Sequence, residues 1–317
     1  IVQNPYYHAK ALLMSFGIPV QAVTNTNIRK YDGELQYICN TIGLQMYAKL
    51  GGTPWVLPAN RNVDREIIIG IGSSTLRGSP FTKSEQERVV GIATFFSGDG
   101  KYLLGSKCKD VPYDGYFQEL LSTLKSSIHN LSQEYGWQEG DTVRIIFHIF
   151  KPIKNVELDV VKSLVEEFTQ FQIKFAFITV SEHHPFLLFD PTQAGRHSKG
   201  TLLGQYVPQR GVNRILDENS CLLQVQGPQH LKTRYHKFSN PILIRVHEDS
   251  SFKDLHYITQ QVHNFTMVSW RGFFPVKPPA TLYYADLIAG LLSKLRKIDG
   301  WNPEVVNTHM KRKKWFL

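Results

Sequence analysis

With 317 residues, 42% of them hydrophobic and 20% charged, the chain can bury a sizeable core, which excludes a disordered or low-complexity segment. Lysine and arginine number 36 against 27 acids, a formal charge of +9, so a polyanionic partner is electrostatically reasonable. Cys39, Cys108 and Cys221 form no CxxC pair, no apolar run reaches the roughly 20 residues of a membrane span, and no signal-peptide pattern opens the chain; a disulfide framework and a cysteine-rich zinc site are disfavoured, and a reducing, cytoplasmic setting fits.

Asn4 is placed to cap a helix from Pro5 to Phe16, with Pro5 at its first helical position. Tyr6 and Lys10, four apart, then share one face near the helix's positive end, an anion-binding geometry. Ile18 to Val23, which carries Gln21, reads as a short strand. A second helix from Glu34 to Leu50 follows Asp32, bears Lys49 in its last turn and is terminated by Gly51-Gly52. Two ammonium groups, a phenol and an amide have a common target in a terminal phosphate, which carries about −1.5 to −2 charge at neutral pH. A helix, strand, helix piece cannot close a sheet by itself, and Ile1 stands directly before a helix cap, so the chain is expected to be a fragment whose upstream part completes this unit. The polar, proline-bearing stretch 58–65 places a domain boundary, dividing the chain into 1–64 and 65–317.

The β-branched run 66–74 predicts a buried central strand. Strands over 88–97 and 101–107 flank the hairpin signal Gly98-Asp99-Gly100; a helix over 113–134, a strand over 143–149, a helix over 156–171 and a strand over 173–180 follow. Three antiparallel strands, helix, strand, helix, strand is the ribonuclease-H-like order, an α/β class. Beyond it, 202–207, 212–216, 221–225 and 241–246 read as short strands, and 254–264 and 283–298 as helices.

Nucleases on such a fold hold two divalent metals with carboxylates, one mid-way along the first strand and another just after the fourth. The first strand here carries Gly72, and the fourth is followed by Phe150. Neither side chain binds a metal. Asp64, Glu66, Asp99 and Asp110 near the strand ends read as solvated charges, and His148, His183 and His184 as ordinary polar positions without an HExxH spacing.

Tyr6, Lys10, Gln21 and Lys49 resemble the set with which the MID domain of Argonaute proteins holds a guide strand's 5′ phosphate, with Tyr7 and His8 as alternatives at the tyrosine position. The resemblance runs on through Gly51-Gly52-Thr53-Pro54-Trp55 into a PIWI-like domain ending Trp315-Phe316-Leu317. Ile69-Gly70-Ile71-Gly72 resembles the family's first strand with glycine where aspartate stands, Phe150 occupies the second aspartate position, and Asp286 in Tyr284-Ala285-Asp286-Leu287 matches the last ligand. The resemblance implies lost slicing, a Mg²⁺ ion bridging the guide phosphate and the Leu317 carboxylate, and strand-backbone contacts from Arg271 and Arg210. The terminal Trp-Phe-Leu, the missing acids and Thr259-Gln260-Gln261-Val262 look most like short, slicing-inactive prokaryotic Argonautes. That subclass implies a sensor loaded with a 5′-phosphorylated guide RNA that recognises complementary single-stranded DNA. It implies too an associated or fused effector with an APAZ-type region, a sirtuin-like or Toll/interleukin-receptor-like NAD hydrolase acting against plasmids or phage. The alternatives are a guide-directed, metal-dependent endonuclease with relocated ligands, and an adaptor that binds protein only.

Overall fold

The computed structural model describes residues 4–30, 32–58, 63–75, 88–108, 115–150, 155–198, 200–231 and 238–317; Asp110 lies outside them. Helix α1 (Pro5–Ser15) starts as its sequence dictates: the Tyr6 amide donates to the Asn4 side-chain oxygen at 3.0 Å, and Pro5 has no amide to leave unpaired. It ends where Gly17 takes a left-handed φ of 72°, with Gly17 and Ile18 amides donating back to Met14 and Leu13 carbonyls. A four-residue turn, α2 (Asn25–Ile28), precedes α3 (Asp32–Lys49). That helix stops the same way, with Gly51 at φ 102° and Gly51 and Gly52 donating to Ala48 and Tyr47.

The strand expected over 18–23 is absent. A strand exists only by pairing, and among the described residues none pairs with this segment; it runs as irregular chain with Ile18 and Val23 exposed and the Val20 carbonyl given to Lys49.

The rest of the chain builds an eight-stranded sheet. Its first half comprises β1 (Arg65–Thr75), β2 (Arg88–Ser97), β3 (Tyr102–Lys107), β4 (Thr142–Ile149) and β5 (Gln172–Ser181), with α4 (Tyr116–Glu134) and α5 (Asn155–Glu167) as connections. A three-residue ribbon, β6 (Arg196–Ser198) with β7 (Thr201–Leu203), stands apart; the expected strand over 202–207 shrinks to its second arm. Then come β8 (Asn213–Asp217), β9 (Ser220–Leu223), β10 (Ile242–Val246), α6 (Leu255–Phe265) and α7 (Ala280–Leu295). The spatial order is β3-β2-β1-β4-β5-β10-β9-β8, with β1, β4 and β5 parallel and the other pairs antiparallel. This is the ribonuclease-H-like order, extended by three strands.

Strand β1 is buried on both faces, which is why its sequence is a continuous apolar run rather than an alternation. Ile67, Ile69 and Ile71 join the core with α4 and α5, while Ile68 faces the core built by α6 and α7. Gly70 and Gly72 fall on the α7 side by the two-residue period. A Cβ at Gly70 would lie 2.4 Å from the Thr281 carbonyl oxygen, and one at Gly72 2.9 Å from the Ala285 Cβ, so α7 approaches the strand to backbone distance there.

Candidate nucleic-acid interface

The four residues singled out at the start of the chain converge. Lys49, in the last turn of α3, donates to the Gln21 side-chain oxygen at 2.5 Å and to the Val20 carbonyl at 2.9 Å. Lys10, fully buried on α1, donates to the Trp315 carbonyl at 2.7 Å and lies 5.6 Å from the centre of the Tyr6 ring. Neither ammonium, nor Arg271, forms an ion pair among the described residues. Burial first, and the nearby Lys49 charge second, push the Lys10 ammonium down to about 7; burial and then Arg271 bring Lys49 down to about 8. Burial raises the Tyr6 hydroxyl, with Tyr7 adding and the Arg271 charge opposing.

Arg271, which the resemblance casts as a strand-backbone contact, thus lies beside this cluster, a neighbourhood that no local sequence pattern indicates. Its backbone carbonyl accepts from the Gln45 amide of α3 at 2.8 Å, and its guanidinium donates to the Tyr283 hydroxyl of α7 at 3.2 Å. Three cations from three elements thus share one site with no acid side chain ion-paired to them among the described residues, an arrangement with an affinity for an anion.

The C-terminal tail closes the site from behind. Trp315, Phe316 and Leu317 are buried, the Lys313 ammonium donates to the Gly17 carbonyl, and the Gly105 amide donates to the Lys311 carbonyl at 2.8 Å. Leu317 stands two residues beyond the carbonyl that Lys10 holds. Oxygen donors here are few: the Gln21 oxygen and Val20 carbonyl already accept from Lys49. The side chains placed here would hold a divalent cation only together with oxygen donors brought by a bound anion.

Arg210 lies elsewhere. Its guanidinium donates to the His263 carbonyl at 3.0 Å and the Thr266 hydroxyl at 2.7 Å, bracing the C-terminus of α6.

At the positions where a nuclease of this fold carries its acids, Gly72 abuts Ala285, Phe150 packs into the core beside α7, and Asp286 is exposed. Among the described residues no group of three or more His, Cys, Asp or Glu side chains could hold a metal. His148 is a core residue: buried, bonded to the Thr281 hydroxyl at 2.8 Å and the Gln261 oxygen at 3.0 Å, and pushed down to about 4 by that burial. Glu66 accepts from the Tyr257 hydroxyl at 2.7 Å and from Arg144 at 3.3 Å, and burial raises its carboxyl against both partners. Asp64 accepts from the Thr142 amide, Asp99 from Ser97 and the Lys101 amide, and His184 is bonded to the Pro241 carbonyl.

All three cysteines are free, and no helix among the described residues is long and apolar enough to cross a membrane. A family model described as a Piwi domain matches residues 3–297. The chain is 36% identical over 323 residues to a protein argonaute of Cereibacter sphaeroides, a match covering 99% of this chain and 41% of that one. It is 25% identical to a Piwi protein of Archaeoglobus fulgidus, covering 98% of this chain and 71% of that one. Among solved structures, Clostridium butyricum Argonaute bound to a guide DNA and a 19-mer target DNA superposes with a TM-score of 0.63 at 18% identity, over 92% of this chain and 36% of that one. Aa-Ago with externally bound siRNA does so with a TM-score of 0.57 at 17% identity, over 98% of this chain and 38% of that one.

Proposed function

Because the chain belongs to the Piwi-domain family, we propose that it is a guide-loaded nucleic-acid sensor that recognises a complementary strand without cutting it. The observation that carries this reading is the pair of buried ammonium groups, Lys10 and Lys49, brought from two helices to one site with no carboxylate partner among the described residues. Tyr6, Lys10, Gln21 and Lys49 hold the 5′ phosphate of a guide, with residues 1–64 as the guide-end unit and 65–317 as the PIWI unit. Arg271, and Arg210 through the edge of its guanidinium that does not brace α6, contact the strand backbone. The Leu317 carboxylate would hold a Mg²⁺ ion, which would supply positive charge beside the phosphate; without it two anions about 4 Å apart would repel by roughly 4 kcal/mol at an effective dielectric near 20.

Base pairing supplies the sequence information, so the protein needs to grip only phosphates and shape. The C. butyricum protein was solved with guide and target DNA, and a guide RNA pairing with single-stranded DNA is the combination proposed for this chain. The closeness of α7 to Gly72 supports the absence of slicing, since no metal-binding side chain fits between them. Output then passes to a cytoplasmic partner or fused region, an NAD-hydrolysing effector with an APAZ-type segment used in defence against plasmids or phage.

The test is binding of 5′-phosphorylated against 5′-hydroxyl RNA and DNA strands by fluorescence anisotropy. Charge-assisted hydrogen bonds contribute about 1.5–3 kcal/mol each, so Lys10→Ala or Lys49→Ala should cost phosphorylated strands roughly 10- to 150-fold and hydroxyl-ended strands far less. Equal losses for both ends would remove the pocket assignment. Guide-dependent cleavage of a labelled complement with Mg²⁺ or Mn²⁺ would remove the non-cutting half.

A further inference from the structure

The segment joining α6 to α7 is fastened at every side. The Val276 amide donates to the Thr266 carbonyl at 2.9 Å across its neck, and the Trp270 amide donates to the Tyr284 hydroxyl at 2.8 Å. The Trp55 indole N–H donates to the Met267 carbonyl at 2.8 Å, and Gln45 holds the Arg271 carbonyl. On this held loop Phe273 is nonetheless 49% exposed, its ring stacked on Trp55 at 6.3 Å between centroids and 30° between planes. An exposed ring on a loose loop needs no account, but here the indole contact and the four hydrogen bonds hold the loop that carries the ring.

What lies along the ring is indicated by its neighbour. Arg271, two residues earlier, is tied through its carbonyl to Gln45, one turn before Lys49 on α3, and its charge bears on both Lys49 and Tyr6. Two residues of chain reach at most about 7 Å between α-carbons, so with both side chains added the ring stands within the first few nucleotides of any phosphate that Arg271 and the lysines hold. An anionic strand complements the charge, and the part of a strand that covers an aromatic face, whatever its sequence, is a base.

We propose that Phe273, backed by Trp55, is a stacking shelf for a nucleobase close to the strand's 5′ end. This rests on the phosphate-pocket reading above. The base belongs either to the phosphorylated strand itself or to its complement, and the two are separated by the test.

Wild type, Phe273→Leu, which keeps apolar bulk but removes the π face, and Phe273→Tyr, which restores it, are titrated with 5′-phosphorylated and 5′-hydroxyl strands. Single abasic sites are walked through the first four positions of the labelled strand, then of a complement added to it. Base–aromatic stacking predicts that Phe273→Leu weakens binding by about 5- to 150-fold with unchanged melting temperature, and that Phe273→Tyr recovers it. One abasic position should weaken wild type by as much and leave Phe273→Leu no worse. That position in the labelled strand assigns the shelf to the guide; in the complement, to the target. Unaltered affinity of Phe273→Leu in both arms, or a Phe273→Leu loss that persists unchanged with every abasic strand, overturns the shelf. If the phosphate preference survives while Phe273→Leu has no effect, the shelf alone fails. If Phe273→Leu shows its base-dependent loss without any phosphate preference, the pocket reading fails and the shelf stands.

Discussion

Lys10 and Lys49 are costly residues in the absence of a ligand. A lysine whose ammonium is held below its ordinary value binds fewer protons folded than unfolded, so the strand-free protein gains stability as pH rises from about 7 and carries the full penalty below that. Lys311 and Lys314, also lowered chiefly by burial, act in the same direction. A phosphate placed between Lys10 and Lys49 restores the charged forms. We therefore expect the melting temperature of the free protein to climb between pH 7 and pH 9, and the climb to shrink in Lys10→Met and in the complex with a 5′-phosphorylated strand. Affinity for that strand should be greatest between about pH 6, where the phosphate becomes dianionic, and about pH 7, above which Lys10 and then Lys49 must take up a proton to bind it. Calorimetric titrations at pH 8 in two buffers of different ionisation heat should register proton uptake, and a 5′-hydroxyl strand should register little. Proton release, or no dependence on buffer, would contradict the assignment.

At the scale of elements, α7 lies against β1 at backbone distance beside Gly70 and Gly72. Gly72→Ala places a methyl 2.9 Å from the Ala285 Cβ, overpacking that typically costs about 1–3 kcal/mol, and Gly72→Asp adds a buried carboxylate without a partner. Gly72→Asp should therefore unfold at distinctly lower denaturant and remain unable to cut with Mn²⁺. Ala285→Gly should recover much of the Gly72→Ala loss in a double variant, despite roughly 1 kcal/mol for glycine within a helix, and simple additivity of the two would contradict the steric reading. Sequence alone gives the glycine but not the helix lying on it, because Ala285 is more than two hundred positions away and a close helix–strand approach leaves no local pattern. Periodicity does give the order of β1 through β5, since each apolar run is of strand or helix length and is bounded by a turn signal. It misreads 18–23, where an apolar run without a neighbouring strand is only an extended connection, and it starts α7 three residues late, at Tyr283 rather than behind Pro279. The cap of α1 and the glycine stop of α3 were legible because they are local chemistry, whereas α3 starts at Asp32 itself rather than behind it. Arg271's place beside Lys49 was not, being set by Gln45 and Tyr283 from distant elements.

Over the whole molecule, the interface is assembled from both ends of the chain: Lys10 meets the Trp315 carbonyl, Lys313 meets Gly17, and Trp55 reaches Met267. The net charge of +9 is thereby not spread evenly in effect, because lysines and arginines paired with acids, such as Lys162 with Asp249 or Arg312 with Glu134, have their fields cancelled locally. Lys49 and Arg271 have no such acid partner among the described residues, so a bound strand held by them should release counterions there. For single strands the slope of log affinity against log salt is about −0.7 per phosphate neutralised. Lys49→Ala and Arg271→Ala should each flatten the slope by about 0.7, whereas replacing a paired cation such as Lys162 should leave it unchanged. Arg210 discriminates between two roles within the same measurement. If its guanidinium only braces α6, Arg210→Ala lowers the melting temperature and keeps the slope; contact with the backbone, as proposed, flattens the slope as well. Slopes measured between 50 and 300 mM salt with one 5′-phosphorylated strand decide each case, and equal slopes for Lys49→Ala, Arg271→Ala and wild type would mean that the strand is gripped somewhere else on the surface.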